Sequence, residues 1–219
     1  METKRNNILL EVNLKNHKDF VKVDNIHYGG YQGWLSSSGY VTKFWSNKSC
    51  GVIAAANTLF YMARNNPHNK SKNPPIITKE NYLDLALYLY KFIKPNIYGI
   101  PTVSTMIKGL KNYAESMNFE ITPFLLVNPT TLMGTVEYIK HGLKRNFPIM
   151  MVTWNSRIAN LAYHWVTITG YYVTNQGKHY IVTSNWGKEE EFSLDEWYEE
   201  KSLYKGLLYF LTSNVGNIE

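Results

Sequence analysis

The chain carries a single cysteine, Cys50, and it stands where the sequence can open a helix. Ser46 and Ser49 precede it as candidate caps, and Gly51 to Met62 read as a continuous helical run. In the first turn of a helix the aligned peptide dipoles and unpaired N–H groups favour negative charge, which lowers a thiol's pKa. The expectation is a thiolate nucleophile whose alkylation, with an imidazolium beside it, has a midpoint below about pH 6.5. Free cysteine is also among the most buried residue types, so chemistry at Cys50 needs partners elsewhere in the chain.

Two later stretches supply them. His164 opens the β-branched run Tyr163 to Tyr172, with Val166 and Ile168 on its face. An imidazole accepts a thiol proton near neutral pH, which makes it the base a cysteine nucleophile requires, within about 4 Å of the sulfur. Asn185 lies in Ser184-Asn185-Trp186-Gly187, and residues 162–173 and 178–185 read as a hairpin turning at Thr174-Asn175-Gln176-Gly177. A two-residue loop there sets Val166 opposite Asn185 and leaves Asn185 one diagonal step from His164, where its carbonyl can hold the imidazole tautomer. A three-residue loop with Gly177 left-handed shifts the register by one and presents Ser184 instead. Asn185 is preferred because an amide oxygen is the better acceptor.

These residues need elements to hold them. The helix after Cys50 is apolar nearly all round, with Val52, Ile53, Ala54, Ala55, Ala56, Leu59 and Phe60, so it should run through the core. Residues 8–14 and 19–23 read as strands, and 27–39 as a glycine-rich aromatic loop whose Gly29-Gly30 pair lets backbone pass close to other groups. Residues 65–77, with Pro67, Pro74 and Pro75, read as a loop. Helices are predicted after Thr78, ending before Pro95, after Thr102, and over 131–146, with a strand over 119–127. From Pro148 onward the runs 148–154, 162–173, 178–185 and 206–212 are β-rich and joined by turns. The reading is one α+β domain over 1–219, mostly helical to about 147 and mostly antiparallel sheet from 148, with the site at the seam.

Composition bounds the function classes. The 219 residues are 44% hydrophobic and 15% aromatic, which excludes disorder. The net charge of +6 comes from scattered lysines and arginines, a solvated surface rather than a nucleic-acid footprint. One cysteine makes no intrachain disulfide. Ile8-Leu9-Leu10 is cut short by Glu11, below what a signal peptide needs, and no run reaches ~18 apolar residues. A soluble, cytoplasmic protein is expected, with export by an unusual route left open. No cofactor is implied, and His17, His27, His68, His141, His164 and His179 lack the paired spacing of metal ligands.

Cysteine-glycine at a helix start, a strand of the form His-Trp-Val-Thr-Ile-Thr-Gly-Tyr, and an Asn-Trp-Gly turn, in that order, resemble the papain-like cysteine peptidase superfamily. The likeness is to its bacterial branch, related to the peptidases that process bacteriocin leaders, and extends from about Gly29 to Asp195. It implies a helical half and a β half with a Cys50-His164-Asn185 triad between them, acting on a peptide or amide substrate. The family commonly has an oxyanion-hole glutamine about six residues before the cysteine, where this chain has Phe44. Gln32, on a longer connection, is the candidate donor, and Asn47 the alternative. Family members with the Asn-Ser-Trp-Gly order have their asparagine two places before tryptophan, whereas Asn185 is one place before it. The same acyl-enzyme chemistry would serve an acyltransferase, and the fold without turnover would serve a binding or toxin-like module.

Overall fold

The computed structural model describes residues 7–65 and 76–214. The stretch 66–75, which holds the three prolines of the expected loop and His68, lies outside them. Helices and an antiparallel sheet are both present, so the chain is α+β.

The chain opens with β1 (Ile8–Asn13), followed by a 3-10 turn, His17–Asp19, and a short ribbon of β2 (Lys22–Val23) and β3 (His27–Tyr28). The second predicted strand is thus reduced to two residues, because the left-handed Asp24 and Asn25 turn the chain back at once. Within the aromatic loop a 3-10 helix forms over Gln32–Ser38, and α1 (Lys43–Ser46) leads into α2 (Cys50–Arg64). Every residue of α2 from Cys50 to Thr58 is buried. The three alanines let neighbouring elements come close, and a larger side chain there would overpack the core by roughly 1–3 kcal/mol.

Then come α3 (Lys79–Tyr90), α4 (Val103–Ser116), β4 (Phe119–Val127) and α5 (Leu132–Lys144). Thr78, Thr102 and Thr131 cap the three helices, each hydroxyl accepting a backbone N–H three residues on. Their apolar stripes face inward: Tyr82, Ala86 and Leu89; Val103, Met106 and Leu110; Val136, Ile139 and Leu143. The last third contributes β5 (Ile149–Thr153), β6 (His164–Thr174), β7 (His179–Asn185), β8 (Lys188–Ser193), α6 (Leu194–Glu199) and β9 (Lys205–Asn214).

Seven strands form one sheet in the order β4-β9-β5-β6-β7-β8, with β1 added on β6, and every pairing is antiparallel. The division at 147 is therefore not a division of the sheet: β1 and β4 come from the first two thirds. α2 packs against β6, the strand that shares ladders with β1, β5 and β7. That contact places the start of α2 beside the start of β6, which is where Cys50 and His164 stand. Among the described residues no helix is long and apolar enough to cross a membrane.

Candidate active site

Cys50 is the first residue of α2 and Ser49 holds the N-cap position, yet neither candidate serine caps the helix with its side chain. Ser49 Oγ donates to the Trp45 carbonyl at 2.7 Å, and Ser46 Oγ donates to the Gln32 carbonyl at 2.5 Å. The backbone N–H groups of Trp165, Gly51 and Cys50 favour a negative sulfur, and Lys48 adds to them. Burial outweighs them all: Cys50 is 5% exposed, and desolvation pushes its pKa above the ordinary 9.0. The expected resting thiolate is thus corrected to a thiol, because the helix dipole is a local effect and the surrounding low-dielectric core is the larger one.

The hairpin brings the second and third residues together by a route the sequence did not show. Its loop has three residues, with Gly177 left-handed at φ 74° and Thr174 N–H donating to the Lys178 carbonyl. Near the turn Val173 pairs with His179, the register that would present Ser184. A bulge between Ile168 and Gly170 then takes the register back by one, so that Ile168 pairs with Thr183 and Thr167 with Ser184. The ladder ends at that pair with Asn185 the next residue of β7, and the His164 Nε2 to Asn185 Oδ1 distance is 2.7 Å. A carboxamide oxygen only accepts, so Nε2 carries the proton and Nδ1 keeps the lone pair. Burial lowers the His164 pKa from 6.5 to about 4, against the opposing pull of the Asn185 hydrogen bond. The resting pair is a neutral thiol and a neutral imidazole.

Trp186 packs against the imidazole, its ring centroid 4.8 Å from that of His164. It is held there by the turn between β7 and β8, whose two central residues, Trp186 and Gly187, have φ of 47° and 75°. A bulky residue in the left-handed region costs roughly 1–3 kcal/mol, a strain that clusters at functional sites. The turn is tied down by Tyr28 N–H, which donates to the Gly187 carbonyl at 2.8 Å.

Cys50 and His164 line one small cleft, together with Gln32, Asn57, Ser184 and Trp186. Among the described residues no hydrogen bond joins the sulfur to the ring; such bonds are commonly long in a resting site and tighten on substrate. Gln32 begins the 3-10 helix and is anchored at both ends. Its carbonyl accepts from Ser46, and its Nε2 donates to the Asn47 carbonyl at 3.0 Å. A primary amide has two N–H donors, so one remains for a ligand in the cleft. Asn47, the alternative donor, is exposed and is not among the residues lining the cleft; its carbonyl holds Gln32 instead. Phe44 stands out in solvent at 54% exposure.

Cys50 also lines a second cleft. Its walls are Tyr98, Ile100, Pro101, Val152, Trp154 and Tyr163. This surface is mostly apolar and aromatic, suited to a hydrophobic side chain.

Two residues escaped sequence reasoning. Asn57 is a polar residue in the middle of apolar α2, and that oddity was a readable signal. Its Oδ1 accepts from Gly30 N–H and Tyr82 Oη, and its Nδ2 donates to Ser184 Oγ, which donates to the Tyr28 carbonyl. Gly29 and Gly30 permit this crossing: a Cβ on Gly29 would meet Ser184 Oγ, and one on Gly30 the Tyr82 ring. The other is Glu190, which accepts from Asn185 Nδ2 at 2.9 Å and which no sequence motif marks. Among the described residues no cluster of three histidine, cysteine or carboxylate side chains could hold a metal ion. No protein-family model matches the chain, and no curated protein matches it in sequence.

Proposed function

We propose that the protein is a papain-like cysteine peptidase or amidase, with Cys50 as nucleophile, His164 as base and then acid, and Asn185 as orienter. The observation that carries this reading is the His164–Asn185 hydrogen bond, which leaves Nδ1 unprotonated on a ring that lines a cleft together with Cys50. The Cys50 thiol gives its proton to Nδ1 as sulfur bonds to the substrate carbonyl carbon. The resulting oxyanion takes hydrogen bonds from the Cys50 backbone N–H and the free Gln32 N–H. Collapse breaks the C–N bond, the imidazolium protonates the leaving amine, and water then hydrolyses the thioester with His164 as base. Because the thiol and the imidazole both start neutral, proton transfer accompanies attack rather than preceding it.

The second cleft adds a substrate preference to this reading. Its walls flank the nucleophile, so a peptide with an apolar or aromatic side chain near the attacked carbonyl fits better than a charged one. The test is intact-mass spectrometry after incubation with a peptide ketone carrying an apolar residue and a leaving group. One adduct on Cys50 is expected, absent in Cys50→Ala, and His164→Ala should slow turnover of unmodified peptides by about a thousandfold. A wild-type protein that neither forms the adduct nor yields new termini from a diverse peptide pool overturns the reading.

A further inference from the structure

A carboxamide is nearly symmetric in shape, so packing alone does not decide which end of Asn185 meets the imidazole. The choice decides the tautomer. With Oδ1 toward His164, Nε2 must carry the proton and Nδ1 is a base; with the NH₂ toward it, Nε2 must accept, Nδ1 carries the proton and the ring cannot act as a base there. We propose that Glu190 makes this choice, as a positioning residue acting through Asn185. A carboxylate can only accept, and its Oε2 lies 2.9 Å from Asn185 Nδ2. Flipping the amide would lose a charge-assisted hydrogen bond and set Oδ1 against the carboxylate.

Glu190 is itself held from two sides. Its own carbonyl accepts from Thr183 Oγ1 at 3.1 Å, which fixes the backbone of β8 against β7. Asn160 Nδ2 lies 3.5 Å from both carboxylate oxygens, reaching in from the segment that runs directly into His164. The carboxylate thereby joins the two chain segments that carry His164 and Asn185. No acid is used as a proton carrier in this arrangement; its part is orientation.

The catalytic value of this chain rests on the proposed function, but the tautomer does not. It can be read by NMR on the folded protein with labelled histidine, without any substrate. In the wild type His164 is expected as the Nε2–H tautomer. In Glu190→Ala, and in Glu190→Leu, which keeps more of the side chain's volume, the Nδ1–H tautomer should rise to roughly half of the population, since both amide orientations become allowed. Glu190→Gln keeps an acceptor oxygen and should stay closer to wild type than Glu190→Ala. A His164 that remains fully Nε2–H in the alanine and leucine variants overturns the proposal. If the tautomer shifts as expected but no variant or wild type turns over any peptide, the orientation role of Glu190 stands and the peptidase reading falls.

Discussion

The Trp186 ring lies over His164 at 4.8 Å between centroids, on a backbone that only the left-handed region allows. A site shield bought with turn strain should separate stability from activity when it is removed. Trp186→Gly relieves the φ of 47° and gives up a ring that is 37% exposed, so the melting temperature should change by no more than a few degrees. Turnover should fall about tenfold or more, because water then competes for the His164–Asn185 hydrogen bond. A variant that loses stability and keeps full activity would make Trp186 a packing residue.

Gln32 is fastened by its carbonyl to Ser46 and by one amide hydrogen to Asn47, which points to a function for the other. Gln32→Ala should lower kcat by roughly a hundredfold with the fold intact, the usual cost of one oxyanion donor. Asn47→Ala should cost little, since its backbone carbonyl, not its side chain, holds Gln32. Equal losses in the two variants would shift the donor role back to Asn47.

Asn57 satisfies three groups from three segments, Gly30, Tyr82 and Ser184, at 2% exposure. Asn57→Leu keeps the volume, leaves Gly30 N–H unpaired and takes one partner each from Tyr82 Oη and Ser184 Oγ, which keep the Ile53 and Tyr28 carbonyls, so unfolding in urea should show a loss of about 1–3 kcal/mol, the scale of one unpaired buried donor. A loss below about 0.5 kcal/mol would mean that the loop and β7 find other partners.

Local signals were the legible ones. The helices after Thr78 and Thr102 and over 131–146, and the 119–127 strand, depend on residues a few places apart, and the structure has them close to where the sequence suggests. Pairings between distant segments were not legible. β1 and β4 join the sheet through partners far along the chain. β8 was missed because Lys188, Glu189, Glu190 and Glu191 are poor strand formers; they serve at the outer end of the sheet, where a charged edge is tolerated. Asn185 reached His164 only because the bulge between Ile168 and Gly170 cancelled the effect of a three-residue loop, and no turn rule anticipates such a compensation. The sign of the Cys50 shift failed for the same reason: a helix start is visible in sequence, whereas burial is a property of the whole fold.

That sign has consequences across the pH range. The folded His164 takes up its proton only near pH 4, while in the unfolded chain it does so near 6.5. Between these values the unfolded state binds more protons, so native stability should fall as pH drops from about 6.5 to about 4 and change no further from this group below that. The full effect is on the order of 3 kcal/mol. It should be missing from the urea-unfolding profile of His164→Ala, which has no such proton to bind. The base form of His164 persists down to the same pH, so the acid limb of kcat/KM should lie near 4 rather than near 6.5. On the alkaline side Cys50 ionises only above 9.0, and iodoacetamide labelling of the resting protein should be slow at pH 6 and rise with a midpoint above 9. A labelling midpoint below about 6.5 that moves up in His164→Ala would mean instead that the thiolate and imidazolium exist before substrate arrives, and that the helix start and the ion pair together overcome burial.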